Sequence, residues 1–541
     1  MPTPQVTLQP DAGAHLRLGF DLLADLLAPT LGPVGGLVAN QQHTDTQPEL
    51  LDDAATAVRR VMSLGDPRLD VGAMLMRNLV WRITQRVGDG GAMTAVLARA
   101  IFRDALRLTT AGVNPMIMAK GLRAGAEAVR LALTEQAHPV HTEDELAAVA
   151  LTVTNDRPLA QMLGEISYLL GADAHVITEK LVAPYLARRY LAGANVPAQI
   201  ASLYFFTDPA RQSTVMAGGL LALVDGTLTR ADDAIHLLTL AAQAEATGLT
   251  ILATGFGDAA LSVLVTNHQA AEPKLAVAGV KLTAVNEALR HGLDDLALLT
   301  GATILGRPHT RPVAKAQPQD LAPIRRAEIL GGRVYIQPQQ AATPRLHNLT
   351  AELRAALATL PQDAEERPLL QRRLSALTGG MGLLQIGAGT KRETDLRNAN
   401  AERGLKVLSA AQHTGVVAGG GAALLHCRPA LAPILAQFAP DSDEYRGVQV
   451  LHRALAAPLT QILENAQVDA PAVWLDRVAA AGHRATYDVL SGRVVDAWDA
   501  GILDVAQVMD LVIQTSVSGA SMALSTDAIV YHRKPVQSLE P

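Results

Sequence analysis

The segment Val87-Gly88-Asp89-Gly90-Gly91-Ala92-Met93-Thr94 sets one carboxylate among glycines, and a strongly patterned helix follows at once. Glycine lets backbone N–H groups approach an anion closely, and a helix N-terminus favours negative charge. An aspartate at that point repels phosphate unless a cation lies between them. Magnesium suits the place, because it takes one or two carboxylates together with phosphate oxygens. The loop therefore reads as one wall of a Mg-nucleotide site. Alone, a glycine-rich turn is a weak signal; three other segments add weight. Thr30-Leu31-Gly32-Pro33 follows an apolar helix, and a helix C-cap with a turn explains it equally well. Gly419-Gly420-Gly421 precedes another helix and either packs on a flat base or permits tight helix entry. Asp504, in Gly501-Ile502-Leu503-Asp504, either meets a ribose hydroxyl or caps the helix that begins at Val505.

These residues need elements to position them. Helices are expected over 12–29 and 92–135, with Val96, Leu97, Ala100, Ile101, Ala105 and Leu108 recurring at three- and four-residue steps. Asn114-Pro115 breaks the second stretch. Residues 140–192 are mixed in character. From about Gly193 the pattern alternates: strands at 220–224, 249–253 and 276–282, separated by helices at 230–246 and 259–268. That alternation predicts an inserted α/β domain. One short strand is expected near 334–337 within a stretch rich in Pro, Arg and Gln. A charged surface helix pair is expected over 350–377, around Pro361 and Pro368. A strand at 383–386 and a long helix from near Lys391 follow.

At 541 residues the chain is long enough for several domains. Hydrophobic residues make up 49% and aromatic residues only 3%, so Ala, Leu and Val must fill the cores, which favours helical layers. Net charge is −6 and the Lys and Arg residues are scattered, which argues against nucleic acid as a partner. Cys427 is the only cysteine, so no intrachain disulfide forms and a cytoplasmic setting fits. Residues 1–10 lack the pattern of a signal peptide. The longest apolar run, 249–265, contains Asp258 and two glycines, and so reads as strand–turn–helix rather than a membrane span. The histidines do not cluster with Cys or carboxylates at ligand spacing, so no zinc site is expected.

Taken in order, the glycine loop and its companions resemble the bacterial type I chaperonins, the GroEL-like family. The resemblance spans nearly the whole chain. It is strongest over 14–135 and 374–535, and includes Ala111-Gly112-Val113-Asn114-Pro115-Met116, Leu299-Thr300-Gly301-Ala302-Thr303-Ile304 and 410–421. It implies a multidomain α and α/β subunit. A mainly helical equatorial domain would comprise 1–139 and 414–541. A small intermediate domain would comprise 140–192 and 380–413, and an α/β apical domain 193–379. It further implies ATP and Mg as cofactors, ring assembly and non-native protein clients. The ring would be a homo-oligomer or mixed with a standard chaperonin, with a co-chaperonin cap as a further partner.

Carried over residue by residue, the resemblance makes Thr30, Leu31, Gly32 and Pro33 the first phosphate loop and Asp89 the Mg ligand. Gly88, Gly90 and Gly91 flank that ligand. Asp53 matches a carboxylate near the attacking water. Gly419, Gly420 and Gly421 face the nucleotide, Asp504 the ribose, and Asp488 stands where an asparagine near the base is usual. Three departures follow. Gly91-Ala92-Met93 replaces a run of threonines whose hydroxyls would bond phosphate oxygens. Arg403 replaces the second catalytic aspartate, and an arginine accepts no proton; Glu402, one residue away, points about 100° round the helix. Asp52 and Ala54 alter the surroundings of Asp53. In the apical segment Ile200, Tyr204, Phe205, Leu261 and Val265 match a client-binding strip, although apolar residues more often simply pack their own domain. The tail 536–541 lacks Gly-Met repeats. The expected function is a divergent chaperonin subunit that shelters non-native proteins, with ATP binding kept and hydrolysis weak or lost. Two other readings stay open: an ordinary ATP-driven foldase in which Glu393, Asp395 or Glu402 substitutes, and a ring scaffold with neither nucleotide nor clients.

Overall fold

Where aromatic side chains are scarce, glycine and alanine decide how closely helices approach. The computed structural model describes the chain except residues 1–3, 42–48, 52, 173–174, 193, 209–212, 270–274, 308–309, 331, 340–343, 361–363, 365, 379 and 533–541. Asp52, Pro361 and the tail from Val536 thus lie outside the described residues. The chain divides into two units, Met1–Ala172 with Lys391–Pro541, and Asp173–Thr390.

The first unit opens with β1 (Pro4–Leu8), α1 (Asp11–Leu27), an antiparallel pair β2 (Val38–Asn40) and β3 (Glu49–Leu51), and α2 (Ala54–Arg60). Then come α3 (Pro67–Val87), α4 (Gly91–Thr110), α5 (Pro115–Gln136), α6 (Glu143–Thr154) and α7 (Arg157–Leu170). Side-chain caps fix five of these starts: Asp53, Asp66, Asn114, Thr142 and Asp156 each accept from a backbone N–H of the first turn. Thr142 and Glu145 complete a capping box.

The second unit begins with β4 (His175–Lys180), β5 (Leu186–Ala192), β6 (Ala194–Ile200), β7 (Thr214–Ala217) and β8 (Leu220–Leu228). It continues through α8 (Ala231–Gln243), β9 (Gly248–Phe256), α9 (Asp258–His268), β10 (Ala276–Leu282), α10 (Asn286–Thr300) and β11 (Ile304–Leu305). It ends with β12 (Ala322–Leu330), β13 (Arg333–Pro338), α11 (Pro344–Thr359), α12 (Arg367–Thr378) and β14 (Gly380–Ile386). The large sheet runs β11-β8-β9-β10-β6-β13-β12-β7, and β4-β14-β5 form a small one. Its β8–β9, β9–β10 and β8–β11 pairs are parallel, as the alternation predicts. Leu237, Leu240 and Leu264 of α8 and α9 fill one core, and Leu293, Leu296, Leu353 and Leu374 of α10–α12 fill another. Two expectations need correction. The pair α11–α12 is not merely a surface feature, because its leucines are core. The strand β12 was not foreseen: its charges read as loop, yet Glu328 is buried and satisfied by Arg189 at 3.1 and 3.2 Å and by Arg326 at 3.1 Å.

The chain re-enters the first unit with α13 (Lys391–Thr414), β15 (Val416–Ala418), α14 (Ala422–His426), α15 (Ala432–Leu435), α16 (Asp443–Ala454) and α17 (Ala457–Asn465). It closes with α18 (Pro471–Ala480), β16 (Ala485–Asp488), β17 (Arg493–Asp496), β18 (Leu503–Val505), α19 (Ala506–Leu524) and β19 (Ala528–His532). The last strand pairs antiparallel with the first, Val530 opposite Val6. Helix α19 packs on α3, α4 and α5. Among the described residues no helix is long and apolar enough to cross a membrane.

Reciprocal glycines bring two helix pairs into backbone contact. A Cβ at Gly19 or Gly72 would stand 1.8 Å from Leu69 O or 2.1 Å from Leu16 O, across α1 and α3. Across α5 and α16, a Cβ at Gly121 would stand 1.9 Å from Glu444 O, and one at Gly447 2.2 Å from Met118 O. Backbone cannot yield as a flexible side chain can, so Gly121→Ala costs about 3 kcal/mol. Its urea midpoint falls accordingly, whereas Gly65→Ala, with open space around it, leaves the midpoint within error.

Candidate nucleotide site

Three walls of the first unit meet around four charged side chains. Helix α3 ends on Gly88, whose left-handed φ of 85° sends its N–H to Thr84 O at 2.8 Å. Gly90, with φ 87°, starts α4 without a side-chain cap. The loop is pressed from both sides: a Cβ at Gly88 would stand 2.7 Å from Arg403 O, and one at Gly90 about 3 Å from Val508, Ile83 and Val512. Asp89 between them keeps a partly accessible side chain, yet the protein around it desolvates the carboxylate and raises its pKa. The N–H of Gly90 and the charge of Arg403 act in the opposite direction.

The second wall is the glycine run after β15. Gly419 N–H donates to Ile502 O at 2.9 Å, and Thr486 Oγ1 donates to Gly419 O at 2.8 Å. Gly420 and Gly421 take φ 68° and 76°, and Gly421 N–H donates to Asp504 Oδ2 at 3.4 Å. Asp504 therefore is not the helix cap that commonly explains such a residue; it lies in β18, and the N-cap of α19 is Val505. Burial, and next the charge of Asp89, push Asp504 up to about 7.

The third wall carries the charge reversal. Asp53 caps α2, its Oδ2 accepting from both Thr56 N–H and Thr56 Oγ1 at 2.8 Å. Its Oδ1 forms an ion pair with Arg403 Nη1. Arg403 also donates from Nη2 to Asn400 Oδ1 at 3.0 Å and to Val153 O at 3.3 Å. Its side chain is only 19% exposed, and its Nε is buried with no acceptor among the described residues. Asn400 escaped the sequence reading; the signal was its place one turn before Arg403 on the same helix face.

The remaining expected residues serve local structure. Thr30 Oγ1 donates to Leu27 O at 2.7 Å, Gly32 has φ 94° beside Ile462, and Pro33 is exposed. Asn465 Nδ2 fixes this turn by donating to Ala28 O at 2.9 Å and Leu31 O at 2.8 Å. Asp488 is used in the turn between β16 and β17: the Ser491 hydroxyl and the N–H groups of Leu490 and Ser491 hold its carboxyl below the usual range.

Comparison with known proteins identifies the family. The sequence model of the TCP-1/cpn60 chaperonin family matches residues 23–180 and 258–534, most of the chain. The chain belongs to the TCP-1/cpn60 chaperonin family. It is similar to chaperonin GroEL 1 of Synechococcus sp. (strain CC9605), 28% identical over 527 residues that cover 96% of this chain and 91% of that one. Its fold is similar to that of the chaperonin gp146 of bacteriophage EL 2 (Pseudomonas aeruginosa), crystallised in the presence of ATP-BeFx. The two crystal forms give TM-scores of 0.62 and 0.68 at 17% identity, covering 98% of this chain and 99% of that one. A multidomain α and α/β chaperonin fold and a chaperone role in protein folding follow from membership. So do the family's ATP and Mg dependence, its ring oligomers and its non-native protein clients.

Two parts of the chaperonin site behave differently toward Mg-nucleotide. The anion cradle fits: a glycine loop opens α4, one carboxylate stands in it, and the orphaned Arg403 N–H lacks an acceptor that a phosphate oxygen would supply. Among the described residues no three His, Cys, Asp or Glu side chains could hold a metal by themselves, so Mg2+ here would bind Asp89 and complete its shell with phosphate oxygens and water. The hydrolytic half does not fit as well. Both oxygens of Asp53 are engaged, and a guanidinium fills the place expected for the second carboxylate.

In the second unit, Phe205 is fully buried, its ring 5.5 Å from that of His268. It is core rather than part of an exposed strip. Ile200, Leu261 and Val265 are half-buried against the same core. Leu203 at 74% exposure, Tyr204 at 63% and Ile235 at 49% are among the apolar groups of this unit that solvent reaches, as are Val182, Tyr185 and Val285.

Between about pH 4 and 7 the native state keeps a proton on Asp504 that the unfolded chain has released, so stability falls as pH rises through that window. Asp504→Asn removes the loss. Thermal unfolding of variant and parent coincides near pH 4, and the variant has the higher Tm at pH 8.

Proposed function

We propose that this chaperonin binds Mg-nucleotide and hydrolyses it weakly or not at all, holding non-native chains in a ring without a full ATP-driven cycle. In this reading 1–139 and 414–541 form the equatorial domain, 140–192 and 380–413 the intermediate domain, and 193–379 the apical domain. The subunits assemble with themselves or into a ring with a standard chaperonin, in the cytoplasm, and a co-chaperonin cap is a candidate partner. Clients meet Leu203, Tyr204 and Ile235.

The observation that carries this reading is the ion pair between Arg403 and Asp53. Hydrolysis needs a group that takes a proton from the attacking water, and such a base contributes about 10²–10⁴-fold. Arg403 cannot serve, and Asp53 is spent on Arg403 and Thr56. What the chain's own residues do in this reading is bind and orient: Asp89 in its glycine loop takes the metal, and Arg403 offers a charged donor to a terminal phosphate. When bound, Mg2+ would neutralise charge on the phosphate chain.

Steady-state ATPase on protein freed of host chaperonin tests the reading. The expected turnover is at least about 100-fold below that of an ordinary chaperonin; ordinary turnover overturns it. Arg403→Asp restores a carboxylate and raises turnover by about tenfold or more, while an unchanged rate means that more of the site than this residue is lost. Titration calorimetry with Mg-ATP reads binding directly, and a flat trace removes the nucleotide from the proposal. Negative-stain imaging decides ring assembly.

A further inference from the structure

Three residues of α13, each three positions from the next, hold the corner between α6 and α7. Arg397 Nε donates to Asp156 Oδ2 at 2.7 Å, Asn400 Nδ2 to Thr154 O at 3.4 Å, and Arg403 Nη2 to Val153 O at 3.3 Å. The spacing keeps them on one helix face. The corner itself is set by Asn155, with φ 47°, and by Asp156, which accepts from Leu159 N–H at 3.2 Å. Two more bonds, Gln412 Nε2 to Ser167 O at 2.8 Å and Ser409 Oγ to Ala172 O at 3.0 Å, join α13 to α7 and the residues that follow it. These contacts make α6, α7 and α13 one block.

The block roofs the nucleotide site. Ala148 of α6 lies against the turn at Gly501, and the backbone of Arg403 sits on Gly88. Both chain crossings between block and floor fall together. His138 N–H donates to Val416 O at 2.9 Å, Val416 N–H returns to His138 O at 2.8 Å, and Gly415 beside them takes φ 81°. From that end, α13 runs 11 residues from Thr414 to Arg403, about 16 Å. There the block is tied down by the Arg403–Asp53 ion pair, with Lys406 Nζ to Gln85 O at 3.3 Å close by. The roof is thus joined to the floor at one end, packs on β18 and α19, and is fastened by charge at Arg403.

We propose that Arg403 is a built-in latch. Its pair with Asp53 holds the α6–α7–α13 block closed over the site without any nucleotide, and the terminal phosphate of a bound nucleotide competes with Asp53 for the same guanidinium. The second clause rests on the nucleotide reading above; the first does not. Asn400 is a positioning residue for the latch. It is 7% exposed, and its Oδ1 holds Arg403 Nη2 while its Nδ2 holds the α6 carbonyl. Removing one partner of a largely buried pair strands the other, so a single substitution at either end of the latch loosens the block.

Hydrogen exchange on the full chain without nucleotide tests it, comparing the parent with Arg403→Gln, Asp53→Asn and the double variant. Asp53→Asn keeps an acceptor for the α2 cap. Each single variant speeds amide exchange over 141–154 and 398–407 by about tenfold, and the double variant exchanges no faster than either single, as coupled partners require. Unchanged exchange in the single variants, or additive effects in the double, overturns the latch. Asn400→Ala moves exchange the same way by a smaller factor and serves where Arg403→Gln does not fold. Stopped-flow release of a methylanthraniloyl-ADP probe with Mg2+ then reads the site: release from Arg403→Gln is about tenfold faster than from the parent. Equal release rates overturn the second clause, the competition of phosphate with Asp53 for Arg403. If the probe binds neither protein, the nucleotide reading fails, and the exchange result still decides the latch.

Discussion

The contact on which the site depends is one of backbone against backbone. Gly88 lies so near the Arg403 carbonyl that no side chain fits between them. That approach sets the height of α13 over the glycine loop and therefore what a side chain at position 403 can reach. An aspartate there has a short arm; arginine has a long one and spans to the α2 cap. The substitution changes the connection between elements as well as the charge.

The local charges then follow simple electrostatics. Asp53, Asp89 and Asp504 gather in one pocket, and Arg403 is the cation that acts on two of them. Desolvation, and after it the charge of a neighbouring carboxylate, press Asp89 and Asp504 toward the neutral form. A pocket arranged this way is tolerable when empty because one positive charge and two raised pKa values relieve it. The same arrangement leaves no spare base, which separates holding an anion from breaking its bonds.

Much of this was legible in the residues, unevenly. Helices with sustained three- and four-residue apolar steps, such as α4, and the apolar strands β8, β9 and β10 were visible because local pattern and final burial agree. The strand β12 was hidden because its charged residues interrupt the apolar pattern, and Glu328 is satisfied by Arg189 on a strand distant in sequence. The vacancy at position 403 could be located from the register of the glycine run, but not its new partners: Val153 and Asp53 are 250 and 350 positions away, and only the folded chain brings them close. Phe205 misled for another reason. In a chain with so few aromatic rings it fills a core beside Gly279, while its sequence neighbours Leu203 and Tyr204 are exposed. Asp504 stood next to a helix start and looked like a cap, yet it accepts from the N–H of Gly421, 83 positions earlier.

The antiparallel pairing of β1 with β19 has a consequence for biosynthesis. The opening strand of the first unit finds its mate only in β19, where Val6 meets Val530, and α19, which packs on α3, α4 and α5, is nearly as late. The inserted unit, by contrast, is an unbroken stretch that emerges complete beforehand. During translation the nascent chain must therefore carry a finished insert on an unfinished base, with the buried faces of α3, α4 and α5 uncovered until α19 has been made. A protein of this kind is itself a demanding client while it is being made.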